Sequence, residues 1–268
     1  MPELPEVETV VRILTKQIVN ETIQSITVKW DKTVMHKALF IEKVVGQTIR
    51  SVTRRGKYIC MNLDRGVILI HFRMEGKFYI RDKNEPPFKH THVIFQLNSF
   101  NLEFNDTRKF GRMMYTEDAQ SYLNTKLGLE PFDVNLTVAY LTHKSKNRKV
   151  ALKTFLLDQS VIAGIGNIYS DEICYKMLRN PHTSVSKLTK LDWQNCIQCT
   201  KDILQSAIEA GGTSVRSYTS SLGVTGLFQL NIQVYGRAQQ PCHICQTLLV
   251  RSIIGQRSSV YCPSCQKR

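Results

Sequence analysis

The chain has 268 residues, 42% of them hydrophobic, which is enough for two domains with real cores. Lysine and arginine number 36 against 22 acidic residues, and the net charge of +14 favours a polyanionic partner, nucleic acid before anionic membrane. No apolar run approaches the ~20 residues of a membrane span, and no charged-then-apolar leader opens the chain, so we expect a cytoplasmic protein without membrane attachment.

The first six residues, Met1-Pro2-Glu3-Leu4-Pro5-Glu6, offer a nucleophile that exists only at a chain start. If the initiator methionine is removed, Pro2 presents a secondary amine that can attack an electrophilic carbon and form an iminium. Glu3 and Glu6 would lie on one face of a helix beginning here, where a carboxyl could move protons for the reaction. The alternative is structural: a proline at a helix start, with acids that favour the helix dipole.

Residues 4–18 repeat apolar side chains at helical spacing and predict a packed helix that holds the terminal amine still. From about 22 to 116 the pattern changes to short β-like runs separated by Gly, Asp and Asn. This predicts an antiparallel sandwich or barrel built around the first helix. Its charged segments 54–57, 71–76 and 106–111 are each more typical of solvated turns than of sites.

After about residue 117 the chain becomes helical, with helices predicted over 118–128, 136–144, 149–159, 167–178 and 187–210. The glycine-rich segment 163–167 follows no strand, so we interpret it as a tight turn into a helix whose N-terminus can face a phosphate. Cys196 and Cys199 lie inside the last helix and are interpreted as core residues. Serine, threonine and glycine dominate residues 211–226, which indicates a mobile loop.

The last 30 residues carry the most specific pattern of the chain, two C-x-x-C pairs separated by 16 residues. Four soft thiolate donors on a β-hairpin suit a tetrahedral ion and leave no open coordination position. The pattern therefore predicts one structural Zn²⁺, without a catalytic metal, in a reducing compartment. The predicted ligands are Cys242, Cys245, Cys262 and Cys265.

Six sequence segments are spread along nearly the whole chain: MPELPEVETV, RRGKY, HFRMEG, DTRKFG, GIGNIYSDE and the four-cysteine finger. In this order and at these distances, the set resembles the bacterial formamidopyrimidine-DNA glycosylases, base-excision enzymes that remove oxidised purines. The resemblance implies an α+β fold in three domains. These are an N-terminal helix with an antiparallel β-sandwich (1–117), a helix–two-turns–helix DNA-binding domain with a lesion-covering loop (130–226) and a β-hairpin zinc finger (233–268).

The resemblance also implies a bifunctional DNA N-glycosylase and AP lyase that works through a Schiff base. Pro2 would attack C1′ of the damaged nucleotide, Glu3 would act as acid and base, and Glu6 would support structure and protonation. Lys57 would contact the phosphate beside the lesion and assist β-elimination. Arg257 would hold the flanking phosphate and donate a proton in δ-elimination.

Extruding a base leaves a hole in the duplex, and the family fills it with three side chains. In this chain the three matching residues are Met74, Arg108 and Phe110, which we call the void-filling set. A thioether and an aromatic ring suit the vacated place in the base stack, and a guanidinium suits the acceptor edge of the orphaned cytosine. Further DNA contacts are implied for His71, His90, Lys149, Lys153 and Asn167. The expected partner is duplex DNA with oxidised bases or abasic sites, bound by a monomer in the bacterial cytoplasm and nucleoid.

Two alternatives stay open: a preference for oxidised pyrimidines, and DNA binding without catalysis. The loop reads SYTSSLGVTG where many relatives carry Asn or Asp followed by Gly, which leaves the favoured lesion open. The related endonuclease VIII group prefers oxidised pyrimidines and usually has glycine in place of Leu4, so Leu4 and the intact void-filling set favour the purine branch. A DNA-binding zinc-ribbon protein without catalysis is the second alternative, against which Pro2, Glu3 and Lys57 argue.

Overall fold

A computed structural model of the chain describes residues 1–213 and 227–267. The chain divides into two compact units, residues 1–125 with the segment that begins at Gly211, and residues 126–210 with the segment that begins at Phe228. The finer division into three domains stays a prediction. Within the described ranges, no helix combines the length and apolarity that a membrane crossing requires.

The first unit is built from helices and antiparallel strands. Its helices are α1 (Leu4–Ile18), α2 (Lys37–Val44) and α3 (Ala119–Asn124). Its strands are β1 (Ser25–Val28), β2 (Ile49–Arg55), β3 (Tyr58–Leu63), β4 (Val67–His71), β5 (Lys77–Arg81), β6 (Thr91–Gln96), β7 (Asn101–Asn105) and β8 (Arg112–Thr116). They form two four-stranded sheets in the orders β1-β6-β7-β5 and β2-β3-β4-β8. Both sheets and α1 contribute to one apolar core, which confirms the predicted sandwich.

Helix α1 has the predicted bounds and fixes the start of the chain. Pro5 lies in its first turn, where a missing N–H leaves no intrahelical bond unmade. The Glu6 carboxylate accepts a hydrogen bond from the Glu3 N–H at 2.9 Å, which satisfies a donor at the helix start. Burying each large apolar side chain of the helix stabilises the unit by roughly 1.5–3 kcal/mol. The buried residues include Val7, Val10, Leu14 and Ile18.

Two predictions for the first unit need correction. Helix α2 lies in a stretch that was interpreted as strands, because Phe40 and Val44 give it too few buried positions to show a helical period. Helix α3 ends at Asn124 and does not reach 128. At Gly128 a Cβ atom would lie 2.3 Å from the Val161 carbonyl oxygen, so the backbone there runs extended against residues 159–163.

The second unit contains the later helices and the C-terminal hairpin. Its elements are α4 (Val138–Ser145), α5 (Leu152–Leu157), α6 (Asn167–Lys176), α7 (Lys190–Glu209), β9 (Val250–Ile254) and β10 (Arg257–Tyr261). Thr189 and Asp192 exchange hydrogen bonds at the start of α7, an N-terminal capping box. Cys196 and Cys199 are buried on this helix, as predicted. Of the predicted mobile loop, 214–226 lie outside the described residues.

Candidate active site and metal centre

The chain start, two carboxylates and a lysine form a buried polar cluster in the first unit. The exposed fractions of Glu3, Glu6 and Lys57 are 2%, 4% and 6%. Burial lowers the pKa of the terminal amine on Met1; Glu3 and Glu6 oppose that shift, and Lys57 reinforces it. Because the neutral amine is the nucleophilic form, this environment favours nucleophilic attack at neutral pH. Pro2 is buried next to this amine, and its nitrogen becomes the terminal amine when Met1 is removed.

Glu6 ties the chain start to the segment that follows α7. Its Oε1 accepts hydrogen bonds from the Thr213 N–H at 2.8 Å and the Thr213 hydroxyl at 3.0 Å, while Oε2 accepts from the Glu3 N–H. Gly212 has φ +79°, and a Cβ there would lie 2.9 Å from Oε1. A carboxylate with this many donors is held in one orientation, which fits a supporting role for Glu6.

His71 is held as a neutral ring at the end of β4. Burial lowers its pKa to about 3, and the charges of Arg73 and Lys57 act in the same direction. Its Nδ1 accepts a hydrogen bond from the Arg73 N–H at 2.9 Å, so Nε2 carries the proton. The ring also packs edge-on against Tyr58, with 4.7 Å between centroids. The neutral ring thus keeps one N–H donor, a group that suits a phosphate oxygen.

Two turns of the first unit, 72–76 and 106–111, pack on the buried ring of Phe104. A Cβ atom at Gly76 would lie 2.8 Å from that ring, and one at Gly111 would lie 2.4 Å from it. Both positions therefore require glycine, and the shared ring keeps the two turns side by side.

The void-filling set projects from these two turns. Met74 is half-buried in the first turn, whereas Arg108 and Phe110 are exposed in the second. The Arg108 guanidinium lies 4.9 Å from the centre of the Phe110 ring, within the range of a cation–π contact. The Thr107 hydroxyl donates to the Glu75 carboxylate and joins the turns. The structure thus brings the three predicted side chains to adjacent turns.

Asp106 shapes the second turn from inside. Its carboxylate is fully buried and accepts hydrogen bonds from the Arg108 N–H at 3.0 Å and the Gly111 N–H at 2.7 Å. The half-buried His90 lies beside it, and the His90 carbonyl accepts from the Asp106 N–H at 3.0 Å. Both ends of the turn are therefore fixed by one side chain.

In the second unit, the predicted DNA-contacting residues differ in exposure. Lys149 and Arg257 are exposed. Asn167 begins α6, where its side-chain amide NH₂ is the group that could donate to a phosphate; its Oδ1 is buried without a hydrogen-bond partner among the described residues.

Lys153 requires a correction. Its side chain is 0% exposed, and its Nζ lies 2.7 Å from both Asp171 Oδ1 and the Ser258 carbonyl oxygen. An ammonium held this way has no path to a phosphate. In this structure Lys153 joins α5 to α6 and the hairpin instead of contacting DNA directly.

The four cysteines of the finger converge as predicted. Their sulfur atoms all lie within 4.8 Å of one another, with 3.9 Å between Cys242 and Cys265 and 3.4 Å between Cys245 and Cys262. A tetrahedral ion with metal–sulfur bonds of about 2.3 Å needs sulfur–sulfur distances of about 3.8 Å. Hydrogen bonds from Thr247 lower the pKa of Cys245 to about 6, whereas burial raises the pKa of Cys262 and of Cys265. The cluster therefore fits a single tetrahedral metal ion.

Two family models match the chain. One is described as the formamidopyrimidine-DNA glycosylase N-terminal domain and matches residues 1–113, and the other as its H2TH domain and matches residues 127–219. A formamidopyrimidine-DNA glycosylase of Shouchella clausii is 40% identical over 275 residues and covers 100% of both chains. One of Bacillus subtilis, strain 168, is also 40% identical over 275 residues at the same coverage. The chain belongs to the formamidopyrimidine-DNA glycosylase family.

Solved structures agree with this assignment. A Lactococcus lactis Fpg mutant bound to DNA containing Fapy-dG matches with a TM-score of 0.94 and 33% identity, and 100% of both chains is covered. A complex of Lactococcus lactis Fpg with DNA containing an abasic site matches with a TM-score of 0.93 and 33% identity, covering 99% of this chain and 100% of that one. This family member is thus a DNA glycosylase by sequence and by fold.

Sequence reasoning missed several residues that organise the site of this glycosylase. Asp106 was noted only as part of the DTRKFG motif, and nothing local shows that its carboxylate is turned inward. Asp171 and Glu172 were noted only as letters of GIGNIYSDE. Both are buried in the structure, and no local signal shows this, because two adjacent acids fit equally well on the polar face of an amphipathic helix.

Proposed function

We propose that the chain is a bifunctional DNA glycosylase and AP lyase of base-excision repair that removes oxidised purines, 8-oxoguanine and formamidopyrimidines, from duplex DNA. Family membership supports the glycosylase activity. The observation that carries the proposed chemistry is the buried cluster at the chain start, where burial lowers the pKa of the Met1 amine beside Glu3 and Lys57; the Pro2 amine freed by removal of Met1 would lie in the same environment.

The proposed reaction begins after Met1 is removed. The Pro2 nitrogen attacks C1′ of the damaged nucleotide, the C1′–N bond to the base breaks, and Glu3 supplies the proton that the departing base takes up. The Pro2 nitrogen loses its proton, and the C1′–O4′ bond then breaks with a proton from Glu3 to O4′, which leaves an iminium between Pro2 and C1′. Loss of a C2′ proton then expels the 3′ phosphate, and a second elimination expels the 5′ phosphate.

Phosphate contacts are proposed for the donors that the two units offer. Lys57 and the neutral His71 belong to the first unit, and Lys149, Asn167 and Arg257 to the second. The net charge of +14 supports duplex DNA as the partner, and the void-filling set supports a flipped nucleotide. We propose a monomer that acts in the bacterial cytoplasm and at the nucleoid.

The metal is proposed to be one structural Zn²⁺ held by the four cysteines. Four thiolates complete a tetrahedral shell, so no position remains for water or substrate. The bound ion would hold the hairpin that carries Arg257, and the proposed chemistry itself uses no metal.

The test is a cleavage assay on a duplex with one 8-oxoguanine opposite cytosine, beside a duplex with an oxidised pyrimidine. We expect cleavage of the first duplex with phosphate left on both ends of the gap. Glu3→Gln should slow base release by about 100-fold or more while cleavage of a preformed abasic site is affected less, because an abasic site has no departing base to protonate.

Three outcomes would contradict this proposal. Cleavage of the pyrimidine duplex alone would place the chain with the endonuclease VIII group. Duplex binding without cleavage would indicate a non-catalytic DNA-binding protein. An intact mass that retains Met1 in active enzyme would exclude Pro2 as the nucleophile.

A further inference from the structure

One face of α6 holds the C-terminal segment of the second unit. Asp171 and Glu172 precede Tyr175 by four and three residues, so each of the two adjacent acids projects near the Tyr175 side of the helix. The Asp171 carboxylate accepts hydrogen bonds from the Ser259 hydroxyl at 2.6 Å and the Val260 N–H at 3.1 Å. Strand β10 is thereby fixed to α6.

Glu172 fixes the segment that leads into the first cysteine pair. Its carboxylate accepts three backbone N–H groups, those of Gln233, Val234 and Tyr235, each at 2.9 Å. The side chain is buried, so these bonds offset the cost of removing its charge from water. Each of the two backbone segments that lead into the cysteine pairs is thus held by one of two adjacent acids.

Tyr175 reaches the metal centre itself. Its Oη lies 3.2 Å from Cys242 Sγ, and its side chain is 5% exposed. The ring belongs to the same apolar cluster as Val234, Leu249 and Val260. A buried hydroxyl costs free energy unless it is hydrogen-bonded, and here the sulfur is placed to accept the bond.

We propose that Tyr175 is a positioning residue of the metal centre, whose hydroxyl donates an O–H···S hydrogen bond to the Cys242 thiolate and slows loss of the bound metal. This rests on the proposed metal centre. A metal-bound thiolate carries no proton, so the hydroxyl is the donor. The bond withdraws part of the negative charge that four thiolates bring together and orients Cys242 for binding.

This donor differs from those inside the finger. The Cys265 N–H lies 3.4 Å from Cys262 Sγ and belongs to the hairpin's own turn. Tyr175 precedes Cys242 by 67 residues and lies on α6. The metal centre is therefore coupled to a helix of the second unit, and metal retention depends on a side chain outside the finger.

The test uses full-length protein, loaded with Zn²⁺ and verified by metal analysis, with Tyr175→Phe as the variant. Zinc transfer to the chelator 4-(2-pyridylazo)resorcinol should be about tenfold faster in the variant, as is typical when a hydrogen bond to a metal ligand is removed. In protein loaded with Co²⁺, the sulfur-to-cobalt charge-transfer bands should also shift, because the Cys242 sulfur becomes more electron-rich.

The matched control is Tyr140→Phe. The Tyr140 hydroxyl donates to the Val161 carbonyl at 2.8 Å in the same unit, and neither group is a metal ligand. We expect wild-type zinc release and an unchanged cobalt spectrum. Equal acceleration of zinc release in Tyr175→Phe and Tyr140→Phe would mean that the loss of either hydroxyl destabilises the unit as a whole, and it would overturn the proposal.

Wild-type release and an unchanged cobalt spectrum in Tyr175→Phe would also overturn it. A third result is that wild-type protein contains no metal and does not bind added Zn²⁺. That result would overturn both the proposed metal centre and this proposal. Metal analysis before the chelator is added identifies that case separately.

Discussion

At the scale of single residues, the site consists of buried polar side chains whose orientation is fixed by hydrogen bonds to neighbouring groups. Glu6 is engaged at both oxygens, and His71 is kept neutral. Buried groups of this kind lose more free energy when a partner is removed than exposed ones do. Substitutions that preserve shape are therefore the sharpest tests at this scale.

Glu6→Gln is expected to lower the free energy of unfolding by about 1–3 kcal/mol, measured by urea denaturation. The reason is that Oε1 and Oε2 both accept from N–H donors, so either orientation of an amide turns an NH₂ toward a donor. The control is Glu8→Gln, at an ion pair with Arg12 and Arg54, where the loss should stay within about 1 kcal/mol. An equal loss in both variants would contradict the role given to Glu6.

His71 should make stability depend on pH. Its pKa falls from 6.5 to about 3 on folding, so between these values the unfolded chain binds a proton that the folded chain does not. The free energy of unfolding should therefore rise with pH across this window, by up to about 1.4 kcal/mol per pH unit, and gain nothing more from this group above it.

His71→Gln should remove this part of the slope in urea denaturation series across the window. His143→Gln, at an exposed histidine, is the control and should leave the slope unchanged. If His71→Gln kept the wild-type slope, the neutral buried ring would be the wrong description.

At the scale of elements, the two turns that carry the void-filling set depend on a shared ring and on one internal carboxylate. Asp106 accepts hydrogen bonds from the N–H groups of Arg108 and Gly111, in the middle and at the end of its turn. The orientation of Arg108 and Phe110 is thus a property of the whole turn.

Asp106→Ala is expected to reduce the preference for cytosine over adenine opposite an abasic site, by at most the loss seen in Arg108→Ala, because the turn that orients Arg108 loses two hydrogen bonds of roughly 1 kcal/mol each. Affinity for undamaged duplex should change less, since base-edge contacts specify and phosphate contacts only position. Equilibrium binding to matched duplexes measures both quantities, with Arg108→Ala as the reference for a lost base contact. Asp118→Ala, which removes the α3 cap at Ser121, should keep the preference. Uniform weakening on all duplexes by Asp106→Ala would contradict this account of the turn.

Long amphipathic elements could be predicted from sequence, whereas contacts between distant segments could not. Helix α1 was predicted to the residue because 15 residues repeat one apolar face, but α2, with eight residues, was missed. The cysteine ligands follow from local spacing. The burial of Lys153 depends on Asp171, 18 residues away, and a positive charge in a basic chain gives no sign of it. The partners of Tyr175 and Asp106 likewise depend on the fold.

At the scale of the whole molecule, the net charge favours a nucleic-acid partner, and the proposed metal would stabilise the C-terminal segment. The net charge of +14 indicated a nucleic-acid partner before any motif was considered, and the family agrees with it. The four-cysteine cluster belongs to the second unit, together with the exposed Arg257. Loss of the proposed structural metal should therefore weaken DNA binding.

Cys245→Ser is expected to lose the bound metal and most of the affinity for duplex DNA, because a structural metal contributes folding free energy. Metal analysis and equilibrium binding measure the two effects. Cys199→Ser is the matched control: Cys199 also belongs to a C-x-x-C pair, but it lies in α7, where its sulfur contacts Asn195 at 3.3 Å. A Cys245→Ser protein with one equivalent of metal and wild-type affinity would show that the ligand assignment is wrong.

The central claim is that the chain-start amine forms a covalent intermediate with damaged DNA. Borohydride reduction during reaction with a duplex that carries 8-oxoguanine opposite cytosine tests it most directly, beside the Pro2→Gly variant. We predict a stable protein–DNA adduct for the wild type and a strongly reduced yield for the variant. An equal yield from the variant, or no adduct from a wild-type protein that binds the duplex, would contradict the claim.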